Sequence, residues 1–278
     1  MTLLRSLTIG EFSLKRFMRS SLLIPVLVYL GLQLVGYFFG DRLIFRPPEP
    51  SYRNSEEIIK LSVGNGEQIS ALHLKNPDAK YTVLFIHGNA EDLGHTRSTL
   101  EYLRSIGFSV FAFDYRGYGT SSGTASESNS YADADAAYKY LVKEAQVAPQ
   151  DIIVYGRSLG GAVAIDLASK QRVGGLIAES SFVSALRVVT GYRVFPFDKF
   201  ESLEKIKMVL CPVMVVHGTA DEVIPLWHGE SLFKETAGPK MAYWVPGAGH
   251  NDLLYRAGSE HESRLKEFVT LLDSTSPK

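Results

Sequence analysis

A serine lies between two glycines in the stretch Gly-Arg-Ser-Leu-Gly at residues 156–160. The β-forming residues 152–155 come directly before it, and a helix-forming run follows. A Gly-x-Ser-x-Gly turn between a buried strand and a helix is typical of a nucleophile elbow, which presents the serine hydroxyl at the carboxyl end of a sheet. The glycines are needed because a Cβ at either position would collide with neighbouring backbone. The pattern predicts Ser158 as a catalytic nucleophile and the Leu159 N–H as a donor to a developing oxyanion.

A serine nucleophile needs a general base, and His250 fits that role best. In sites built on such an elbow, the acid and then the base follow the serine along the chain. His250 comes after the last predicted strand, in the sequence Gly-Ala-Gly-His-Asn-Asp, whose glycines allow a loop to fold over the sheet edge. The alternatives are His217, which directly follows a strand, His228 on a predicted helix, and His261 near the start of the last helix. The spacing therefore predicts His250 as the base.

The acid that orients this base is expected in the loop after the strand at residues 213–216. Asp221 lies in that loop, and its neighbour Glu222 is an alternative. Glu179 is a second alternative because some related sites take the acid from the end of the preceding strand. Asp252 is expected to support the histidine loop. The loop position predicts Asp221 as the acid.

A second oxyanion donor is expected after the strand at residues 82–86. That strand leads into His87-Gly88-Asn89, and elbow sites take their second N–H from the residue after such a His-Gly pair. The Asn89 backbone N–H is therefore predicted to act together with that of Leu159. His87 is expected to anchor the loop rather than to take part in the chemistry.

Strand and helix patterns alternate along most of the chain. Residues 56–63 and 68–75 predict a hairpin, because the intervening Asn65-Gly66 is a strong turn signal. The later strands are short and apolar without alternation, which indicates burial on both faces and hence a mostly parallel sheet with helices on each side. The predicted strands are 82–86, 109–113, 152–155, 176–178, 213–216 and 242–245, and the predicted helices are 97–105, 131–145, 159–169, 227–234 and 260–272.

The N-terminal part of the chain is predicted to form a single transmembrane helix. Residues 22–39 carry no charge, and as a helix they would extend about 27 Å, close to the hydrocarbon thickness of a bilayer. Tyr37, Phe38 and Phe39 at the end of this stretch suit a membrane interface. A cleaved signal peptide and a buried helix of the folded domain are the alternatives. The denser basic cluster before the stretch favours a cytoplasmic N-terminus, with the domain on the other side.

Composition limits the function classes. With 278 residues, 45% of them hydrophobic, and a formal net charge of −1, the chain can bury one large core and has no basic surplus for nucleic acid. The single cysteine, Cys211, cannot form an internal disulfide. No cluster of His, Cys, Asp and Glu has the spacing of a metal site, so neither a metal nor another cofactor is expected.

Five motifs, in this order, resemble the α/β-hydrolases. They are FIHGNAEDLGHT, FDYRGYGTSSG, GRSLGG, HGTADEVIP and GAGHND. Among these proteins, the sequence resembles the small-capped, membrane-anchored α/β-hydrolase domain proteins, which include protein depalmitoylases and their bacterial relatives. The resemblance covers residues 42–272 and implies a triad of Ser158, Asp221 and His250, which spacing also predicts. It implies a membrane anchor with its flanks at residues 1–41 and a hydrolase domain at residues 42–278, with a short cap at about 181–210.

The resemblance implies a serine hydrolase. The expected substrate is an ester or thioester of a hydrophobic acyl group, presented by a lipid or an acylated protein and cleaved through an acyl-enzyme at a membrane surface. A serine peptidase, a small-molecule esterase and a cofactor-free haloperoxidase share such a triad, and a non-catalytic binding protein is the alternative outside enzymes. Aromatic residues in the cap either pack against the core or line an acyl groove. These are Phe182, Tyr192, Phe195, Phe197 and Phe200.

Overall fold

The computed structural model describes residues 14–194 and 198–275, with side chains from residue 23 onward except at residue 37. The chain divides into two compact units, Met1–Leu43 and Ile44–Lys278. Two of the aromatic residues predicted for the cap, Phe195 and Phe197, lie outside the described residues.

The described residues of the first unit belong to helix α1, Leu14–Ile44, which includes Pro25. Among the residues that the structure describes, no single helix is both long and apolar enough to cross a membrane. The segments Leu23–Gly36 and Phe38–Ile44 meet that requirement together, with a bend of 63° between them. Gly36 stands at the bend, and glycine weakens a helix interior. A bent pair therefore replaces the straight span expected over residues 22–39, and a single transmembrane helix stays a prediction.

A mixed sheet forms the centre of the second unit. Its strands are β1 Ile58–Gly64, β2 Glu67–Leu74, β3 Thr82–Ile86, β4 Ser109–Phe113, β5 Ile152–Arg157, β6 Gly175–Glu179, β7 Val213–Gly218 and β8 Lys240–Val245. They form one 8-stranded sheet in the order β1-β2-β4-β3-β5-β6-β7-β8. β1 and β2 form the expected antiparallel hairpin, β2 pairs antiparallel with β4, and the remaining pairs are parallel. The carboxyl ends of the parallel strands consequently share one edge of the sheet.

Helices cover both faces of this sheet. They are α2 Leu93–Ser105, α3 Glu127–Lys143, α4 Leu159–Lys170, α5 Ala185–Thr190, α6 Ser202–Ile206, α7 Trp227–Glu235, α8 Leu253–Ala257 and α9 Ser259–Thr275. Successive residues of β5 belong to different cores. Ile152 and Val154 pack with residues of α3 and α4, whereas Ile153 and Tyr155 pack with residues of α2 and α9. Burial on both faces explains why the parallel strands are apolar without alternation.

Helices α2 and α3 begin earlier than their apolar periodicity predicts. α2 starts after Asp92, whose carboxylate accepts the His95 N–H at 3.0 Å. α3 starts after Ser126, whose hydroxyl accepts the Asn129 N–H at 3.1 Å. Such caps satisfy N–H groups that the first turn of a helix leaves without a partner. The caps therefore extend both helices into polar sequence that carries no periodic signal.

The segment between β6 and β7 contains two short helices, α5 and α6. Phe182 and Phe200 in this segment are buried, with ring centroids 6.3 Å apart and the rings nearly perpendicular. Tyr192 is 72% exposed. The described aromatic residues of this segment thus divide between the core and the surface.

Candidate active site

Ser158 lies between β5 and α4 at a turn with a strained backbone. Its φ is 54° and its ψ is −118°, and a positive φ is uncommon for a residue with a side chain. A Cβ on Gly156 would lie 2.6 Å from the Gly161 Cα, and a Cβ on Gly160 would lie 2.6 Å from the His87 carbonyl oxygen. No side chain tolerates such contacts, so the turn requires both glycines. Strain of this kind clusters at functional positions.

His250 joins Ser158 to Asp221. Its Nε2 lies 3.0 Å from Ser158 Oγ, and its Nδ1 lies 2.8 Å from Asp221 Oδ2. In the neutral tautomer that fits both contacts, Nδ1–H donates to the carboxylate and Nε2 accepts from the hydroxyl. The structure therefore brings together the three side chains that spacing predicts, in the geometry of nucleophile, base and acid.

Hydrogen bonds favour the ionised form of Asp221. Burial alone would raise the pKa of this carboxyl, but the hydrogen bond with His250 and the Ile224 N–H outweigh burial, so that the pKa lies below its usual value. The Ile224 N–H donates to Oδ1 at 2.7 Å, and the Val223 N–H donates to the same oxygen at 2.9 Å. Oδ2 is left to accept the hydrogen bond from His250 Nδ1–H, so an ionised carboxylate faces His250 at neutral pH.

The two alternative acids make other contacts. Glu179, at the end of β6, accepts a hydrogen bond from the Tyr155 hydroxyl and lies 3.5 Å from Nε of Arg157. Glu222 is exposed to solvent. Neither of these carboxylates is hydrogen-bonded to His250 among the described contacts, in contrast to Asp221.

The other histidines after Ser158 also have different partners. His217 Nε2 donates to the Ile224 carbonyl at 2.7 Å and lies 3.6 Å from Asp221 Oδ2, but no described hydrogen bond joins it to Ser158. His228 accepts a backbone N–H at 3.2 Å, and burial lowers its pKa to about 4, so it is neutral at pH 7. His261 Nε2 lies 3.2 Å from the Tyr155 hydroxyl. The geometry therefore separates His250 from all three.

The two predicted oxyanion donors lie on adjacent loops. β3 and β5 are parallel neighbours, and a Cβ on Gly88 would lie 3.5 Å from the Ser158 Cβ. Leu159 is the first residue of α4, so its N–H has no acceptor within the helix. Neither the Asn89 nor the Leu159 N–H donates a hydrogen bond to another residue in the described part of the chain. Both groups are thus available to a ligand beside Ser158.

The Asn89 side chain has a role that the sequence did not predict. Its Nδ2 donates to the Ile44 carbonyl at 2.5 Å, and its Oδ1 accepts the Arg46 N–H at 3.0 Å. The Tyr118 hydroxyl donates to the same Oδ1 at 2.6 Å. The loop that carries one predicted oxyanion donor is consequently tied to the first residues of the second unit. No local pattern signals these contacts, because the partners are distant in sequence.

Two further motif residues support neighbouring loops. His87 is buried, with Nε2 3.2 Å from Asp114, and the Tyr115 hydroxyl donates to its carbonyl at 2.8 Å. Arg116 donates to Asp133 at 2.8 Å. These contacts fit the expectation that His87 anchors its loop.

A cavity of about 480 Å³ lies beside His250. Its walls include Tyr102, Arg157 and Asn251, but neither Ser158 nor Asp221. The cavity therefore borders His250 but not the nucleophile.

In the described residues, no group of three or more His, Cys, Asp or Glu side chains could hold a metal ion.

Comparisons with known proteins agree with this architecture. A protein-family model described as "Serine aminopeptidase, S33" matches residues 77–196. The chain is 36% identical over 263 residues to alpha/beta hydrolase domain-containing protein 17B of Xenopus tropicalis, an alignment that covers 83% of this chain and 90% of the relative. It is 43% identical over 198 residues to alpha/beta hydrolase domain-containing protein 17C of Mus musculus, covering 70% of this chain and 61% of the relative.

A solved structure shares the fold. An esterase of Pyrococcus furiosus superposes with a TM-score of 0.69 at 21% identity, covering 81% of this chain and 98% of the esterase. The fold and the similarity over most of the chain confirm the resemblance that the five motifs indicate. This protein therefore belongs to the alpha/beta hydrolase domain-containing protein 17 family and is a hydrolase.

Proposed function

We propose that this hydrolase uses Ser158 to cleave an ester or thioester of a hydrophobic acyl group through an acyl-enzyme at a membrane surface. The observation that carries the proposal is the chain of hydrogen bonds from Ser158 through His250 to Asp221 at a strained elbow. A protein that only binds ligands has no need to keep all three groups and both elbow glycines in this geometry. The arrangement favours catalysis over simple binding.

Acylation follows from the positions of the three side chains. Ser158 Oγ attacks the acyl carbonyl carbon while His250 Nε2 takes its proton, and Asp221 stabilises the resulting imidazolium. The N–H groups of Asn89 and Leu159 donate to the carbonyl oxygen as it becomes negative. When the tetrahedral intermediate collapses, the bond to the leaving oxygen or sulfur breaks and His250 returns its proton to that atom. The acyl group remains as an ester on Ser158.

Deacylation repeats the same steps with water. His250 Nε2 removes a proton from a water molecule, whose oxygen attacks the acyl carbon, and the same two N–H groups hold the oxyanion. Collapse of the intermediate breaks the bond to Ser158 Oγ, which takes the proton from His250. The products are a carboxylic acid and the regenerated serine.

The segment between β6 and β7 supports an apolar substrate. Its described residues form only the short helices α5 and α6, and the exposed side chains among them include Val189 and Tyr192, which are 88% and 72% exposed. Exposed apolar groups are typical of surfaces that meet lipid or another apolar partner. An acyl thioester on a protein, the substrate implied by the resemblance to depalmitoylases, belongs to this class.

Acyl chain length tests the substrate class. On p-nitrophenyl esters from acetyl to dodecanoyl, we expect kcat/KM to rise with chain length, because each buried methylene contributes up to about 0.8 kcal/mol, roughly fourfold in rate. The assay is initial-rate kinetics with the Ser158→Ala variant as the blank. A maximum at acetyl would instead identify a small-molecule esterase. Faster cleavage of aminoacyl p-nitroanilides than of any ester would identify a peptidase.

The N-terminal segment is proposed to anchor the enzyme. Leu23–Gly36 and Phe38–Ile44 together have the length and composition of a broken span. The connector after them contains Pro47, Pro48 and Pro50, which restrict it to extended conformations. A membrane span joined to the catalytic unit would tether the enzyme to the bilayer, where acyl chains are presented.

Two truncations test the anchor and the Asn89 contacts separately. The full chain should sediment with membranes and resist carbonate extraction, and deletion of residues 1–40 should release a soluble, active enzyme. Deletion of residues 1–52 also removes Ile44 and Arg46, two of the three long-range partners of the Asn89 side chain, so we expect kcat about tenfold below that of the first truncation through misplacement of the Asn89 N–H. A full chain that is soluble without detergent would refute the anchor. Equal kcat for both truncations would refute the role of the Asn89 side chain.

A further inference from the structure

We infer that Arg157 is a positioning residue, whose guanidinium holds the His250 loop and the Asn89 loop in place relative to Ser158. The inference rests on the proposed function, because it assumes that Ser158, His250 and Asn89 act as described above. Arg157 is the last residue of β5 and directly precedes the nucleophile, and its side chain is 19% exposed.

One end of the guanidinium holds the histidine loop. Nη2 donates to the His250 carbonyl at 3.1 Å and to Asn251 Oδ1 at 3.0 Å. The first acceptor belongs to the main chain of the base itself, and the second belongs to the next residue. Together they restrain the backbone from which the imidazole extends toward Ser158.

The other end reaches the oxyanion loop. Nη1 forms an ion pair with one carboxylate oxygen of Glu91. The second oxygen of Glu91 accepts the Gly88 N–H at 3.0 Å. Since Gly88 contributes the carbonyl half of the peptide whose N–H belongs to Asn89, the ion pair acts on the orientation of that donor.

Glu179 in turn holds the guanidinium of Arg157. Its Nε lies 3.5 Å from Glu179 Oε1, and the other Glu179 oxygen accepts a hydrogen bond from the Tyr155 hydroxyl. Arginine carries five N–H donors in a planar fork, so one side chain can serve four partners at fixed angles. Lysine has a point charge on a flexible stem and cannot reproduce that geometry.

Little else supports the histidine loop on this side. His250, Asn251 and Arg157 all line the cavity of about 480 Å³, so the loop does not rest there on a close-packed core. Elsewhere the Gly249 N–H donates to Asp252 at 2.7 Å, the Ala220 N–H donates to the Ala248 carbonyl at 2.9 Å, and the Gly247 N–H donates to the Thr219 hydroxyl at 2.8 Å. These bonds tie the loop to itself and to the segment after β7. Among the described contacts, the bonds from Arg157 connect the main chain of the base to β5, the strand that precedes the nucleophile.

The test compares Arg157→Met and Arg157→Lys in the full chain in detergent, with Arg264→Gln as the control for loss of a surface arginine on α9. We expect Arg157→Met to lower kcat and the fluorophosphonate labelling rate about 10²-fold with KM little changed, because a displacement near 1 Å has effects of that size. Arg157→Lys should recover part of the loss, and Arg264→Gln should match the wild type. The downfield proton signal of the His250–Asp221 hydrogen bond should weaken in Arg157→Met.

Asn251→Ala gives an independent reading, because it removes one acceptor of Arg157 and leaves both ion pairs intact. We expect a loss of roughly tenfold in kcat at unchanged Tm. Wild-type kcat in Arg157→Met, with or without a lower Tm, would overturn the inference, and a lower Tm would then indicate a purely structural ion pair. If Arg157→Met does not fold, wild-type kcat in Asn251→Ala would overturn it. Failure of the proposed function is distinguishable, since wild-type Ser158 would then not react with fluorophosphonate at all.

Discussion

Ser158→Ala is expected to abolish ester turnover and fluorophosphonate labelling, with kcat lower by roughly 10⁴- to 10⁶-fold. The substitution removes the atom that attacks the acyl carbon and leaves His250 Nε2 without its hydroxyl donor. Alanine keeps the Cβ, so the strain at a φ of 54° is unchanged and the fold should persist. Initial rates and gel fluorescence measure the loss, and circular dichroism checks the fold.

A matched control separates this effect from loss of a hydroxyl in general. Ser263 is an exposed serine on α9, and Ser263→Ala should retain wild-type turnover and labelling. Undiminished turnover in Ser158→Ala would exclude Ser158 as the nucleophile, whatever the behaviour of the control.

Asp221→Asn is expected to lower kcat by roughly 10⁴-fold with a small effect on KM. An amide nitrogen can donate to His250 Nδ1, which then becomes an acceptor, and the proton moves to Nε2. In that tautomer Nε2 cannot take the proton of Ser158. The amide also removes the negative charge that stabilises the imidazolium. Steady-state kinetics on the preferred ester measure the loss.

The alternative acids provide the comparison for this variant. Glu222→Gln alters an exposed side chain and should leave kcat unchanged within about twofold. Glu179→Gln weakens the support of Arg157 and should cost less than Asp221→Asn. If either glutamate variant has a lower kcat than Asp221→Asn, the acid has been assigned to the wrong carboxylate.

The sequence predicts the centre of the fold well. β3 at Thr82–Ile86 and β4 at Ser109–Phe113 have the predicted bounds, because turn residues on both sides of a short apolar run mark where the strand begins and ends. The hairpin follows from Asn65-Gly66, both of which adopt a positive φ. Helix α8, at Leu253–Ala257, was not predicted, because one turn and a half is too short for a periodic pattern.

Some residues of the candidate site could be predicted from the sequence and others could not. Ser158, Asp221 and His250 each follow a strand that the sequence identifies, so chain order is enough to select them. The contacts of Asn89 and Arg157 have no such signal. Arg46 and Asn89 are separated by 43 positions, and Arg157 and His250 by 93. Only the folded chain brings these side chains together.

Mass spectrometry of the labelled protein tests the central claim most directly. The full chain is treated with a fluorophosphonate, digested, and searched for the modified peptide, with and without a long-chain acyl ester as competitor. The account predicts a single adduct on Ser158, which the acyl ester suppresses and which is absent from Ser158→Ala. An adduct on a different residue, or continued ester turnover with no adduct on Ser158, would contradict it.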